Sequence, residues 1–366
     1  MTSRPLPRSR PAGRENRAGG RDAWVRRMWR GRAGLAGRIA SVALLPLSGL
    51  YRLVMIGRNL AYGLGIATVH DPDLPVVSVG NLTVGGTGKT PVTRWVVARL
   101  RAGGARPSIV MRGYGSDEVD LHRRWAPDVP VVADPDRVAA VTAAAAAGAD
   151  VAVVDDGFQH RRLGRDLDIV LLAAEEEFPG PVVPRGPYRE PARALDRADV
   201  LVITRKSADE READRVERAV RDLGLTRPVV RMHLAPGRIR PLADWGRDTE
   251  AAAGAGSEAD PAGDGPFRVV SGVADPDSVV AAVRSLGLDV ADRADFPDHH
   301  AFTAEEIARL RGGPYPLIVT EKDAIKLQAH VPDARDVFVL EQHLRVERGE
   351  DILQALLDRV LAGEPT

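Results

Sequence analysis

Three glycines, three threonines and a lysine crowd into TVGGTGKT, residues 83–90, a composition suited to holding a polyphosphate. Gly85, Gly86 and Gly88 let backbone N–H groups approach phosphate oxygens, Lys89 can reach the β- and γ-phosphates, and the Thr90 hydroxyl can ligate Mg²⁺. Val84 and Thr87 complete the loop. The usual signature begins with glycine, and Thr83 stands there instead, which removes one permissive position but not the mechanism. Such a loop needs a further carboxylate for its metal at the end of a neighbouring strand. DVAVVDDGFQH, residues 150–160, offers Asp155 and Asp156 after a buried-type apolar run, and carboxylates beside substrate phosphates favour Mg²⁺.

The elements that must position these groups are legible around them. LPVVSVGN, residues 74–81, reads as a buried parallel strand, and Val92, Trp95, Val96 and Leu100 recur at helical spacing after Pro91. Strand, loop and helix in that order supply the N–H groups and helix terminus that bind phosphate. Further strands at 108–111, 151–154, 168–172 and 200–203 alternate with helical stretches such as 136–147. That alternation predicts an α/β fold, a P-loop NTPase-like parallel sheet covered on both faces, over a core at 67–245. A small-residue polar stretch at 246–266 reads as a flexible linker, and 267–366 as a smaller α/β domain closing over the site.

The chain has 366 residues, no cysteine, and 51 basic against 51 acidic residues. A disulfide framework, a thiolate metal site and a cysteine nucleophile are excluded, and the neutral balance gives no electrostatic case for nucleic acid. The charge is nevertheless uneven: residues 1–38 hold eleven arginines against Glu15 and Asp22. Residues 1–35 read as a basic, disordered tail. IASVALLPLSGLY, residues 39–51, then falls short of the roughly 20 apolar residues that cross a bilayer. Three readings stand for 36–66: an export signal, with Arg26-Arg27 as a twin-arginine pair; an ordinary core helix; or an interfacial membrane-associating helix with arginines on anionic lipid.

Neither TRKSAD (204–209) nor TEKD (320–323) has the N-K-x-D spacing that reads guanine, so an adenine nucleotide with a separate acceptor is the reading left. Six blocks then occur in order: SVGNLTVGGTGKTP (78–91), RGYG (112–115), DDGFQHRRLGRDLDIVLL (155–172), RGPYREP (185–191), FPDHH (296–300) and VTEKDAIKL (319–327). Together they resemble the tetraacyldisaccharide 4'-kinases, the lipid A kinases of bacteria with an outer membrane, whose loop also begins with threonine. The resemblance implies transfer of the γ-phosphoryl group of MgATP to the 4'-hydroxyl of a tetraacylated glucosamine disaccharide 1-phosphate, giving lipid IVA. It also implies a peripheral or monotopic place on the cytoplasmic face of the inner membrane.

Residue roles follow from the same resemblance. Asp117, in SDEV at 116–119 directly after RGYG, matches the family's catalytic acid, and His299 its partner. Arg189 is expected at phosphate, Glu190 at the metal or its water, and Gln159 and His160 on the acceptor side. Arg112, Arg137 and Lys322 are further candidate cations. Read without the family, SDE is a solvated turn, YREP an exposed turn, and D-H-H either metal ligands or the approach to a helix capped by Thr303 and Glu306. The rival function is a P-loop ATPase acting as an assembly factor or metallochaperone, which needs the loop and the aspartates but no acceptor-side acid and histidine. A noncatalytic membrane-associated binding protein is the remaining alternative.

Overall fold

The computed structural model describes residues 24–113, 116–245, 265–273 and 275–364. The first part of the expected basic tail and nearly all of the expected linker lie outside the described residues. In the amino-terminal part, α1 (Gly34–Ala43) and α2 (Leu45–Gly63) meet at a 49° bend. There follow β1 (Val76–Asn81), α3 (Lys89–Ala102), β2 (Pro107–Met111), α4 (Ser116–Trp125), β3 (Val131–Ala133), α5 (Arg137–Ala146), β4 (Val151–Asp155), β5 (Leu167–Ala173), β6 (Val200–Arg205), α6 (Glu210–Asp222) and β7 (Val229–Pro241). The carboxyl-terminal part contains β8 (Phe267–Ser271), α7 (Pro276–Ser285), β9 (Val290–Asp295), α8 (Ala304–Arg311), β10 (Leu317–Thr320), α9 (Glu321–Gln328), β11 (Val337–Arg348) and α10 (Glu350–Ala362).

Both parts share one sheet of eleven strands in the order β3-β2-β4-β1-β5-β6-β7-β11-β10-β8-β9. All ladders are parallel except that between β7 and β11, so the α/β, mostly parallel architecture expected from alternation is present. Successive residues of β1 show why both faces are covered: Val77 and Val79 pack with Val92, Val96 and Leu100 of α3 and Leu353 and Leu357 of α10. Val76, pointing the other way, packs with Ala140, Val141 and Ala144 of α5. In the carboxyl-terminal part, Val270, Leu317 and Val319 meet Ile307 of α8 and Leu327 of α9. Thr303 caps α8 in a capping box with Glu306, as their spacing predicts.

The antiparallel ribbon of β7 and β11 is the element that the sequence pattern hides. Pro236 and Gly237 interrupt VVRMHLAPGRIRP, and there the register shifts between Leu340 and Gln342. A side chain at Gly237 would come within 3.1 Å of the Glu341 carbonyl, a close approach that favours glycine where the strands cross. Beyond the ribbon the strands run in the opposite sense, so the carboxyl ends of β2 and β8 leave the sheet in opposite directions. Asp117, which follows β2, nevertheless meets His299, which follows β9, as described below.

Candidate active site

β1 delivers the phosphate loop at the middle of the sheet. Gly85 (φ 155°) and Gly88 (φ 89°) adopt conformations that disfavour side chains, and a Cβ on Gly88 would lie 2.3 Å from Leu234. Thr83 does not have a positive φ; it is buried and bridges to Tyr188 in antiparallel fashion. Threonine is therefore tolerated at the signature's first position because the chain there is extended. Asn81, fully buried, donates to the hydroxyls of Thr83 at 3.2 Å and Thr87 at 2.9 Å, and its Oδ1 accepts from Lys89 at 3.3 Å. Val84, Gly85 and Gly86 are exposed, while Lys89 and Thr90 sit half-buried at the start of α3.

The register pairing Val79 with Asp155 sets the end of β4 level with the end of β1. Asp156 follows at φ 60°, and with His299 (φ 61°) it is one of the two described non-glycine residues in the left-handed region. Such strain gathers at functional positions. Asp156 is salt-bridged to Lys89 at 3.6 Å and hydrogen-bonded by Arg189 through two nitrogens, at 3.0 and 2.8 Å. Burial acts to raise its pKa, but Lys89 and Arg189 outweigh that and hold the carboxyl well below its ordinary range. Asp155 is engaged differently: its Oδ2 lies 3.2 Å from Nε2 of His122, and both side chains are buried. Thr90, Asp155 and Asp156 thus supply hard oxygen donors of the kind Mg²⁺ takes. Nothing singled out His122 in the sequence, nor Lys206, whose Nζ donates to the Gly86 carbonyl at 2.8 Å.

Arg189, expected at phosphate, places its guanidinium on the Asn81 side chain and on Asp156. Glu190, expected at the metal or its water, lies among cations from α2 and from the turn that follows Glu190 itself. Its carboxylate is fully buried between Arg58 at 3.2 Å, Arg197 at 3.2 Å and the Asn59 amide at 2.7 Å. A buried anion with these partners is an anchor for α2, reinforced by the Tyr51 hydroxyl on the Arg189 carbonyl at 2.9 Å. Gln159 donates to the Asn81 carbonyl at 2.7 Å, leaving its buried Oε1 without a partner in the structure. Burial, then the cation of Arg137, lowers the His160 pKa to about 4, so its imidazole is neutral near pH 7. His160 and Arg137 share the lining of a cavity of about 320 Å³ with Asp136 and Arg162.

Asp117 and His299 are 182 residues apart in sequence, and their Oδ2 and Nδ1 atoms are 3.0 Å apart. Asp117 lies in the first turn of α4 rather than in a loop or solvated turn, with its carboxylate buried. Five residues on, about 7.5 Å along the axis, the same helix carries His122 to Asp155. One rigid helix therefore ties the Asp117–His299 pair to the carboxylates beside the phosphate loop. Burial works to raise the pKa of Asp117, but His299, Lys326 and Lys322 together bring it below the ordinary value. Lys322 pairs with Glu118 instead of the phosphate loop. Asp298, 3.9 Å from His299 Nε2, is beyond hydrogen-bonding distance. His300 bonds Glu306 at 3.0 Å and stacks on Phe296, so D-H-H does not act as a ligand set in this conformation.

Known proteins resemble this chain throughout. The family model described as tetraacyldisaccharide-1-P 4'-kinase matches residues 40–125 and 116–362. The tetraacyldisaccharide 4'-kinase of Anaeromyxobacter sp. strain K is 36% identical over 92% of this chain and 95% of its own length. That of Stenotrophomonas maltophilia is 34% identical over 87% and 92% respectively. The crystal structure of LpxK from Aquifex aeolicus in complex with ATP superposes with a TM-score of 0.67 at 28% identity, covering 88% of this chain and 99% of that one. With the family model and both relatives spanning the loop, the aspartate pair and the Asp117–His299 contact alike, the chain belongs to the tetraacyldisaccharide 4'-kinase family.

Proposed function

We infer that this chain transfers the γ-phosphoryl group of ATP to the 4'-hydroxyl of a tetraacylated glucosamine disaccharide 1-phosphate, a step in lipid A biosynthesis. The observation that carries the kinase reading over an acceptor-free ATPase is the 3.0 Å contact between Asp117 and His299. An acid and histidine joined across the fold serve a hydroxyl acceptor; simple switching does not require them. Lys89, Arg189 and the N–H groups of Val84 to Gly88 hold the polyphosphate, and Lys206 stands ready on the loop's far side. Thr90, Asp155 and Asp156 would hold Mg²⁺, which would supply charge neutralisation at the phosphates. Asp117, kept ionised, accepts the proton of the acceptor hydroxyl as its oxygen bonds to the γ-phosphorus. The bond from that phosphorus to the bridging oxygen breaks, and ADP leaves. His299 holds the carboxylate in place, while Gln159 and the neutral His160 face the acceptor side. Incubating purified protein with γ-labelled ATP and the disaccharide 1-phosphate tests the reading directly: label at the 4' position supports it, and label only in inorganic phosphate overturns it.

We further propose that α1 and α2 hold the enzyme on the cytoplasmic face of the inner membrane so that the acyl chains stay in lipid. Among the described residues no single helix is long and apolar enough to cross a membrane; the bent pair passes by length and composition only. What supports an interfacial place is the exposed row of Leu35, Ile39, Val42, Leu47, Leu50 and Leu53, among others. Removing the whole segment would be a poor test, because it would strip Arg58 and Asn59 from the buried Glu190. Substituting Leu50, Leu53 and Leu60 by glutamine avoids that, since they are 58%, 67% and 58% exposed. The triple variant is expected to keep its thermal midpoint and its turnover of detergent-dispersed acceptor, and to lose sedimentation with anionic vesicles. Undiminished sedimentation would remove the membrane reading.

A further inference from the structure

The acceptor-side pair does not stand alone. Oδ2 of Asp117, the oxygen that meets His299, also lies 3.5 Å from Nζ of Lys326, while Oδ1 accepts the backbone N–H of Glu118 at 3.1 Å. Lys326 reaches this point from α9, whose cap, Thr320, is the last residue of β10. Its ammonium is fixed from behind by Asp323, 3.4 Å away and fully buried. The other oxygen of Asp323 accepts from the N–H of Gly272 at 3.0 Å and from the Thr320 hydroxyl at 2.8 Å. Gly272 in turn accepts the N–H of His299 through its carbonyl at 3.2 Å. A single buried carboxylate therefore sets the backbone that presents His299 and the ammonium that faces Asp117. A side chain at Gly272 would come within 3.0 Å of Asp323, so the two pack closely there.

We propose that Lys326, held by Asp323, is a positioning residue that fixes the Asp117 carboxylate in the geometry and the ionised form needed to take the acceptor proton. The inference rests on the assignment of Asp117 as the base. The charged groups facing Asp117 are His299 from the segment after β9, Lys322 and Lys326 from α9, and its own neighbour Glu118, with Asp298 and Asp323 behind the histidine and lysine. Of the two lysines, Lys322 is paired with Glu118, whereas the Lys326 ammonium lies 3.5 Å from Asp117 Oδ2 and is held there by Asp323. Without Lys326, burial would act on the carboxylate with only His299 and the Glu118-paired Lys322 opposing it, and a proton would be retained to higher pH.

The test compares Lys326→Met with Lys326→Arg in the full-length protein, using kcat and KM as functions of pH. Methionine keeps the packing of the stem and removes the charge. Lys326→Met is expected to lower kcat by about tenfold near pH 7 and to move the acid limb of the kcat profile to higher pH by about one unit, with the KM for ATP unchanged. Lys326→Arg is expected to recover most of both effects. Equal losses in the two variants with an unmoved acid limb, or a change confined to the KM for ATP, would overturn the proposal. Asp117→Asn, run alongside, separates the two levels: full activity in that variant refutes the base assignment itself, while an inactive Asp117→Asn beside a wild-type Lys326→Met refutes only the role of Lys326. Should Lys326→Met fold poorly, as judged by its thermal midpoint, Lys326→Gln gives the same comparison, and an unmoved limb there counts against the proposal.

Discussion

Lys89→Ala is expected to fold as the parent does and to lose at least a hundred- to thousandfold in kcat, the scale on which a single charge-stabilising group acts in a preorganised site. The side chain is half-buried and contributes no core packing. It reaches Asn81 at 3.3 Å and Asp156 at 3.6 Å, and Asp156 keeps its two-nitrogen contact with Arg189 when the lysine is gone. Asn81 likewise remains bonded to Thr83 and Thr87, so the loop keeps its internal frame. What disappears is the mobile cation that exchanges Asn81 and Asp156 for the β- and γ-phosphates. The measurement is a single-turnover rate beside a melting curve. Parent-like turnover in a variant with an unchanged midpoint would refute the loop assignment, and a collapsed midpoint would show that Lys89 is structural.

The loop was readable because its signals are local. A glycine-rich stretch between an apolar run and a helical period needs no distant residue to be recognised, and the same holds for Asp155 and Asp156 at the end of a buried strand. The fold class was legible for the same reason, since the alternation of apolar strands and helices is written along the chain. Read bare, YREP has the composition of an exposed turn, and Glu190 is instead fully buried. It is buried only because Arg58, far upstream on α2, and Arg197 converge on it. Such a pairing leaves no mark in the local pattern. α4 was missed for a related reason: Leu121 and His122 face two different partners, the carboxyl-terminal core and Asp155, so no single apolar stripe appears. β7 was hidden by Pro236 and Gly237, which break the strand pattern where the ribbon must bulge. The Asp117–His299 contact needed that ribbon, and only the family resemblance could point to it.

That contact yields the most exacting expectation. Asp117→Ala and His299→Ala are each expected to lower kcat by roughly two to four powers of ten, the usual scale for a positioned acid or base, with ATP affinity little changed. The pair shares one hydrogen bond at 3.0 Å, and His299 is held for it in a left-handed backbone conformation. Removing either partner therefore removes what the other contributes, and the double variant is expected to lose far less than the product of the two single losses. His300 is the neighbour that distinguishes pairing from general disturbance of the segment. Its imidazole bonds Glu306 and stacks on Phe296, away from Asp117, so His300→Ala should lower stability modestly and leave kcat within a few-fold of the parent. Fully multiplicative losses at Asp117 and His299 would mean that the two act independently. A greater loss of kcat at His300 than at His299 would mean that the contact orders the loop rather than the chemistry.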